Sequence, residues 1–181
     1  IYTDSKGNVW IGTKSGLIKY APSGKAPALG DFKKIMLNEK IDKGILFSIV
    51  EDDKGFLWFG NYGEGLIRFN PADNSFVTFT KNDGLIDNGV LSLVVDGKYL
   101  WIGTINGINR LDIGAFNSTG EKKFRHFGKA EGFSGVEVNQ NAILRDSKGN
   151  IWFGTGTGAV KYDSHYDWEN KLEPSTFITD I

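Results

Sequence analysis

Four copies of one sequence pattern run through this chain, and the side chains best suited to chemistry sit where the copies stop agreeing. After each tryptophan-containing segment the copies read Lys14-Ser15, Asn61-Tyr62-Gly63-Glu64, Ile105-Asn106 and Gly156-Thr157. Before the apolar runs they read Asp42-Lys43, Asp87-Asn88 and Glu137-Val138-Asn139-Gln140. Asn61, Tyr62, Glu64, Asp87, Asn106, Glu137, Asn139 and Gln140 are therefore the candidate ligand-binding residues. Amides and carboxylates hydrogen-bond a hydroxyl-rich molecule, and an aromatic ring stacks on its face. Function concentrates on loops held by a rigid scaffold. Tyr62 and Glu64 are the strongest pair, because their loop has one residue more than the hairpin needs. Asp and Asn also make turns by bonding their own backbone, which is the simpler reading of Asp42 and Asn88.

Other chemistries fit less well. Asp4-Ser5-Lys6-Gly7-Asn8 and Asp146-Ser147-Lys148-Gly149-Asn150 look superficially like calcium loops, but lysine stands where an oxygen ligand is required. Asp53-x-Gly55-x-x-Trp58 resembles the Asp-box of sialidase-like propellers, itself a structural turn. Glu64 and Glu137 are conceivable glycosidase carboxylates, although surface charge explains them more simply. His126 and His165 lack metal-ligand spacing to any other candidate. No catalytic residue, metal or cofactor is assigned.

The elements that must position these residues come from the repeat. Trp10, Trp58, Trp101 and Trp152 recur at intervals of roughly 40–50 residues, the size of a four-stranded propeller blade. Each is preceded by an Asp and Gly turn and followed by Gly, then by Gly-(Leu/Ile/Ala)-x-(Lys/Arg). The Asp caps its own backbone and the Gly takes a positive φ. The Trp-(Ile/Phe)-Gly run is apolar on both faces, as a middle strand between two blades must be. Apolar runs at 45–50, 90–95 and 141–145 read as innermost strands. Alternating runs at 32–37, 76–79 and 124–127 read as outer strands. The expectation is an all-β chain of four four-stranded antiparallel blades, about sixteen strands, with essentially no helix. All four tryptophans are expected in the blade-packing core, and the third-strand Lys or Arg looks outward. Segments 21–30 and 113–123 read as surface loops. Residues 1–173 form the four repeats. Residues 174–181 are the last outer strand or the start of a following domain.

The bulk numbers agree. Of 181 residues, 24 are Gly and 24 are aromatic (13 Phe, 6 Tyr, 5 Trp), with only 4 Pro, which suits many tight turns between short strands. The formal net charge is −1, so the basic excess of a nucleic-acid binder is absent. No apolar run reaches the length of a membrane-spanning helix. There is no cysteine, which excludes disulfides and thiolate metal sites.

The recurring pattern Asp-x-x-Gly-x-x-Trp-(Ile/Phe)-Gly-Thr-x-x-Gly-(Leu/Ile)-x-(Lys/Arg)-(Tyr/Phe/Leu) resembles the two-component regulator propeller repeat. That repeat builds the extracytoplasmic sensor of hybrid two-component systems in Bacteroides-type bacteria. Gly84-Leu85-Ile86-Asp87-Asn88-Gly89-Val90 matches its accessory Gly-Leu and Asn-x-Val elements, and the run from Gly132 to Ala142, followed by Trp152-Phe153-Gly154, resembles the family's closing blade. The resemblance implies a periplasmic propeller segment that binds an oligosaccharide or other small molecule and is not itself an enzyme. The parent would be a histidine kinase, and Pro174-Ser175-Thr176-Phe177-Ile178-Thr179 resembles the start of the family's immunoglobulin-like domain. The partners implied are further blades of the parent, with no nucleic acid. An arc of four blades shaped for a larger ring is expected to stay open and to self-associate, with Ile11 and Leu17 lacking a preceding blade. A protein-interaction scaffold and a lyase- or glycosidase-like enzyme are the alternatives.

Overall fold

The recurring Asp turns set the strand boundaries. At Asp4, Asp52 and Asp146 one carboxylate oxygen accepts the backbone N–H groups two and four residues ahead, at 2.8–3.0 Å. Gly7, Gly55 and Gly149 close these turns at φ near +80°, a region that penalises a Cβ. Strands leave each turn in both directions and pair as antiparallel neighbours.

The computed structural model describes residues 1–128, 131–133 and 137–163. They form four sheets. The first is β1 (Tyr2–Thr3), β2 (Val9–Thr13), β3 (Gly16–Tyr20) and β4 (Phe32–Ile35). The second is β5 (Leu46–Glu51), β6 (Leu57–Asn61), β7 (Gly65–Phe69) and β8 (Phe76–Phe79). The third is β9 (Val90–Asp96), β10 (Tyr99–Thr104), β11 (Gly107–Asp112) and β12 (Phe124–Phe127). The fourth has β13 (Val138–Arg145), β14 (Ile151–Thr155) and β15 (Gly158–Tyr162). Each sheet follows chain order from the inner strand outward, which is the blade order expected from the repeat. The fourth blade has three strands among the described residues. The expected last outer strand, Trp168, His165 and the segment 174–181 lie outside them.

Two short helices correct the expectation of a helix-free chain: α1 (Glu39–Lys43) and α2 (Ile113–Thr119). Asn38 and Asp112 cap them by accepting the N–H three residues on, at 2.9 and 2.8 Å. The segment after Asp112 is therefore not a plain surface loop. Ile113 is buried, and Phe116 meets Phe79 and Trp58 edge-on.

The core consists of three interfaces between consecutive blades. Trp10 packs against Phe69 and Phe59 of the second blade, and Trp58 against Leu100, Ile102 and Leu111 of the third. Trp101 packs against Phe153 and Tyr162 of the fourth. The indoles of the first three blades thus pack against the following blade. Trp10, Trp58 and Trp101 are at most 1% exposed, whereas Trp152 is 38% exposed. The expectation of four buried tryptophans fails at the last blade, because no described residues follow on that side. Leu17 is also reassigned: it faces the second blade and is buried, while Ile11 on the opposite face is half-buried.

The glycine two residues after each of the first three tryptophans is a notch for the next blade. A Cβ at Gly12, Gly60 or Gly103 would lie 2.6–2.8 Å from Leu46, Val90 or Val138, the first residues of the following inner strands. Ser48 and Ser92 add hydrogen bonds across the same seam: they accept the Leu93 and Ala142 N–H groups at 3.1 and 2.9 Å. The third-strand cation does not point outward as expected. Lys19, Arg68 and Arg110 lie cross-strand from the tryptophan, with the charged group 5.2–5.7 Å from its ring.

Candidate functional site

The turns between second and third strands are built around the residue after the notch glycine. In three blades it is threonine. The hydroxyls of Thr13, Thr104 and Thr155 donate to the carbonyls of Gly16, Gly107 and Gly158 at 2.8–3.0 Å, closing a two-residue turn. In the second blade it is Asn61, whose longer side chain accepts the N–H of Glu64 at 3.0 Å and so accommodates one extra residue. Asn61 is fully buried and its Nδ2 has no partner. It shapes the loop from inside and presents no surface to a ligand, which removes it from the binding candidates.

The extra residue leaves Tyr62 standing out from the surface at 53% exposure, edge-on to Phe47 with ring centroids 5.9 Å apart. Backbone bonds fix this position. Tyr62 N–H donates to the Ile45 carbonyl at 3.0 Å, and Tyr62 forms an isolated bridge with Gly89 of the next blade. The N–H groups of Gly63 and Gly65 both donate to the Asn88 carbonyl. Glu64 is half-buried beside them.

Asp87 and Asn106 meet on the same surface. One Asp87 oxygen accepts the Gly89 N–H at 2.7 Å and the other accepts the Asn106 amide at 2.6 Å. Tyr62, Glu64, Asp87 and Asn106 thus form one continuous rim across the second and third blades, tied together through Asn88 and Gly89.

The remaining candidates belong to the fourth blade. In β5 and β9 a single residue, Phe47 or Leu91, bulges opposite the notch glycine. In β13 the register jumps from Val138↔Thr155 to Ile143↔Phe153, so a longer bulge carries Asn139, Gln140 and Asn141. All three are exposed, and Asn141 has φ +52°. The Asn139 carbonyl accepts the Ser92 hydroxyl at 2.7 Å, which anchors the bulge to the third blade. β13 lies along β9 and also approaches β5, so the inner strands converge. Glu137 is exposed just before this bulge. Sequence comparison of the repeats singled out Asn139 and Gln140, but not Asn141. Its signal was the two additional residues between Val138 and the following apolar run.

The Asp turns resembling calcium loops are closed to metal. Asp4, Asp52 and Asp146 have one oxygen bonded to backbone N–H groups and the other to the indole N–H of Trp10, Trp58 or Trp152, at 2.7–2.9 Å. These donors lower the pKa of Asp146, with the Trp152 indole the largest contributor. At Asp4 burial pushes the pKa up, but the donors outweigh it and hold it below its ordinary value. His126 is an outer-strand residue whose Nδ1 meets the Asn109 amide at 2.6 Å. Among the described residues no group of three or more His, Cys, Asp or Glu side chains is placed to hold a metal ion.

An antiparallel arc of radially repeated blades with a polar rim on one end defines a segment of a β-propeller. Residues 40–63 and 132–157 match the two component regulator propeller family. Histidine kinase P4 of Formosa agariphila is 28% identical over 86% of this chain, which spans 15% of that kinase. The extracellular domain of a hybrid two component system from B. thetaiotaomicron superposes with a TM-score of 0.74 and 28% identity. The match covers 93% of this chain and 22% of that one. A second such domain from the same organism gives a TM-score of 0.73 at 24% identity, covering 91% and 23%. The fold is that of a β-propeller segment, and the chain is similar to these extracellular domains over about a quarter of their length. No helix among the described residues is long and apolar enough to cross a membrane.

Proposed function

We propose that this chain is part of the periplasmic ligand-sensing propeller of a two-component histidine kinase, and that its rim contributes to an oligosaccharide site. The observation that carries the reading is the departure of the rim from the repeat. Tyr62 stands exposed on a loop lengthened at Asn61, beside the joined Asp87 and Asn106 side chains. The fourth-blade bulge adds Asn139, Gln140 and Asn141. A scaffold alone needs neither change, since the other blades make the same connections with fewer residues. An exposed ring with flanking amides and carboxylates suits a sugar: the ring covers its C–H face, and the polar groups exchange hydrogen bonds with its hydroxyls.

The test is a thermal-shift screen of the complete receptor ectodomain against oligosaccharides released from complex glycans. A ligand that binds the folded state raises Tm by linkage. A concentration-dependent rise with a saccharide supports sensing. A panel in which no saccharide shifts Tm, while a protein partner does, favours the scaffold reading.

A further inference from the structure

One residue of the third blade breaks the repeat inside the sheet rather than in a loop. Two places after the glycine that opens the third strand, the other blades carry Ile18, Ile67 and Val160, whereas the third carries Asn109. Asn109 is fully buried, and a buried amide needs partners at both ends. Its Oδ1 accepts the Ile86 N–H at 3.0 Å. Its Nδ2 lies 2.6 Å from Nδ1 of His126, the residue directly opposite in β12.

This chain of bonds fixes a proton. The Ile86 backbone N–H can only donate, so the amide oxygen must face it. The Nδ2 group turned to His126 can also only donate. Nδ1 of His126 is therefore the acceptor, and the imidazole is neutral with its hydrogen on Nε2. The ring is exposed, so protons reach it from solvent. Protonation sets a second donor opposite Nδ2. An imidazolium bonds an amide oxygen more strongly than a neutral donor does, so the amide turns over and offers Oδ1 to His126. Nδ2 then meets the Ile86 N–H donor to donor, and that bond is lost.

Ile86 lies in the connection 80–89 between β8 and β9. The same connection carries Asp87, Asn88 and Gly89, which tie the Tyr62 loop to Asn106. The charged groups around His126 are engaged elsewhere. Arg110 and Arg125 are on the opposite face of the sheet, over the Phe127 ring. Asp83 is paired with Lys122, and the Asp87 oxygens accept from Gly89 and Asn106.

We propose that His126 is a proton-operated latch on the rim: the neutral ring holds the connection 80–89 against the third blade through Asn109, and the imidazolium releases it. Histidine changes charge between about pH 5 and 8, so the rim is held at the upper end of that range and loosens as pH falls through it. The consequence for a ligand rests on the sensing reading above, whereas the latch itself does not.

The test is amide hydrogen exchange of the complete ectodomain without ligand at about pH 7.5 and 5.5, each rate divided by the intrinsic rate at that pH. Protection of the fragment 84–89 should fall about threefold or more at the lower pH, the loss of one hydrogen bond, with residues 93–95 of β9 unchanged. His126→Asn places an uncharged amide oxygen where Nδ1 was and should keep the same protection at both pH values. Protection of 84–89 that does not change with pH in the wild type overturns the proposal. An equal fall in His126→Asn also overturns it, because the proton would then act elsewhere. No saccharide is added, so a receptor that binds none leaves either result standing.

Discussion

The indole N–H of Trp58 donates to the carboxylate of Asp52 at 2.9 Å, whereas the indole N–H of Trp101 is buried without a partner. The difference follows from one residue. The turn before Trp101 is shorter, so Asp96 pairs directly with Tyr99 and its side chain reaches Arg145 of the fourth blade at 2.6 Å. The same Asp therefore holds its own tryptophan in three blades and ties two blades together in the third.

This division predicts different costs for the same substitution. Asp52→Ala removes the acceptor of two backbone N–H groups and a buried indole, and should cost about 2–4 kcal/mol. Asp96→Ala removes a partly exposed ion pair and should cost about 1 kcal/mol or less. Urea unfolding of the two variants checks the contrast; equal costs would mean that the carboxylate–indole bond contributes little.

Acid should weaken the fold through the same turns. The folded pKa values of Asp4 and Asp146 are held below the ordinary 3.8 by hydrogen bonds to the carboxylate. A depressed folded pKa gives stability that is present above the unfolded value and lost as pH falls through the folded one. Tm should therefore be insensitive to these groups above about pH 5 and drop below about pH 4. Asp4→Asn should have a shallower acid slope, measured by thermal melts at a series of pH values.

The notch glycines should tolerate no side chain. A Cβ at Gly103 would meet Val138 Cγ1 at 2.6 Å and Cβ at 2.8 Å. Gly103→Ala must push the third and fourth blades apart, at a cost of about 1–3 kcal/mol. Denaturant titration with unchanged midpoint would show that the seam yields more easily than its packing implies.

Much of this was legible in the sequence because repetition makes local signals redundant. The Asp and Gly turns, the Trp strand and the alternating outer strand each occur several times, so the blade order and nearly every strand follow from pattern alone. What escaped depends on direction in space. Nothing in the spacing says that the first three indoles pack against the following blade, so the exposure of Trp152 could not be read. Alternation makes Lys19, Arg68 and Arg110, opposite the first three tryptophans, solvent positions, yet their charges sit over the rings. Asn61 reads as a ligand group, because sequence does not separate an amide that shapes a loop from one that faces a ligand. α2 was missed because its sequence, Ile113–Thr119, is rich in weak helix formers. The Asp112 cap and the burial of Ile113 and Phe116 hold it in place.

The most direct test of the sensing account is calorimetry of the complete ectodomain with the saccharide found by thermal shift, comparing wild type with Tyr62→Ala and Glu64→Ala. Tyr62 is exposed and its loop is held by backbone bonds, so both variants should keep Tm within about 1–2 °C of wild type. Affinity should fall roughly tenfold or more for Tyr62→Ala, the loss of about 1.4 kcal/mol expected for a stacking ring, and measurably for Glu64→Ala. Unchanged affinity in both variants would contradict the account and place the ligand on blades outside this chain.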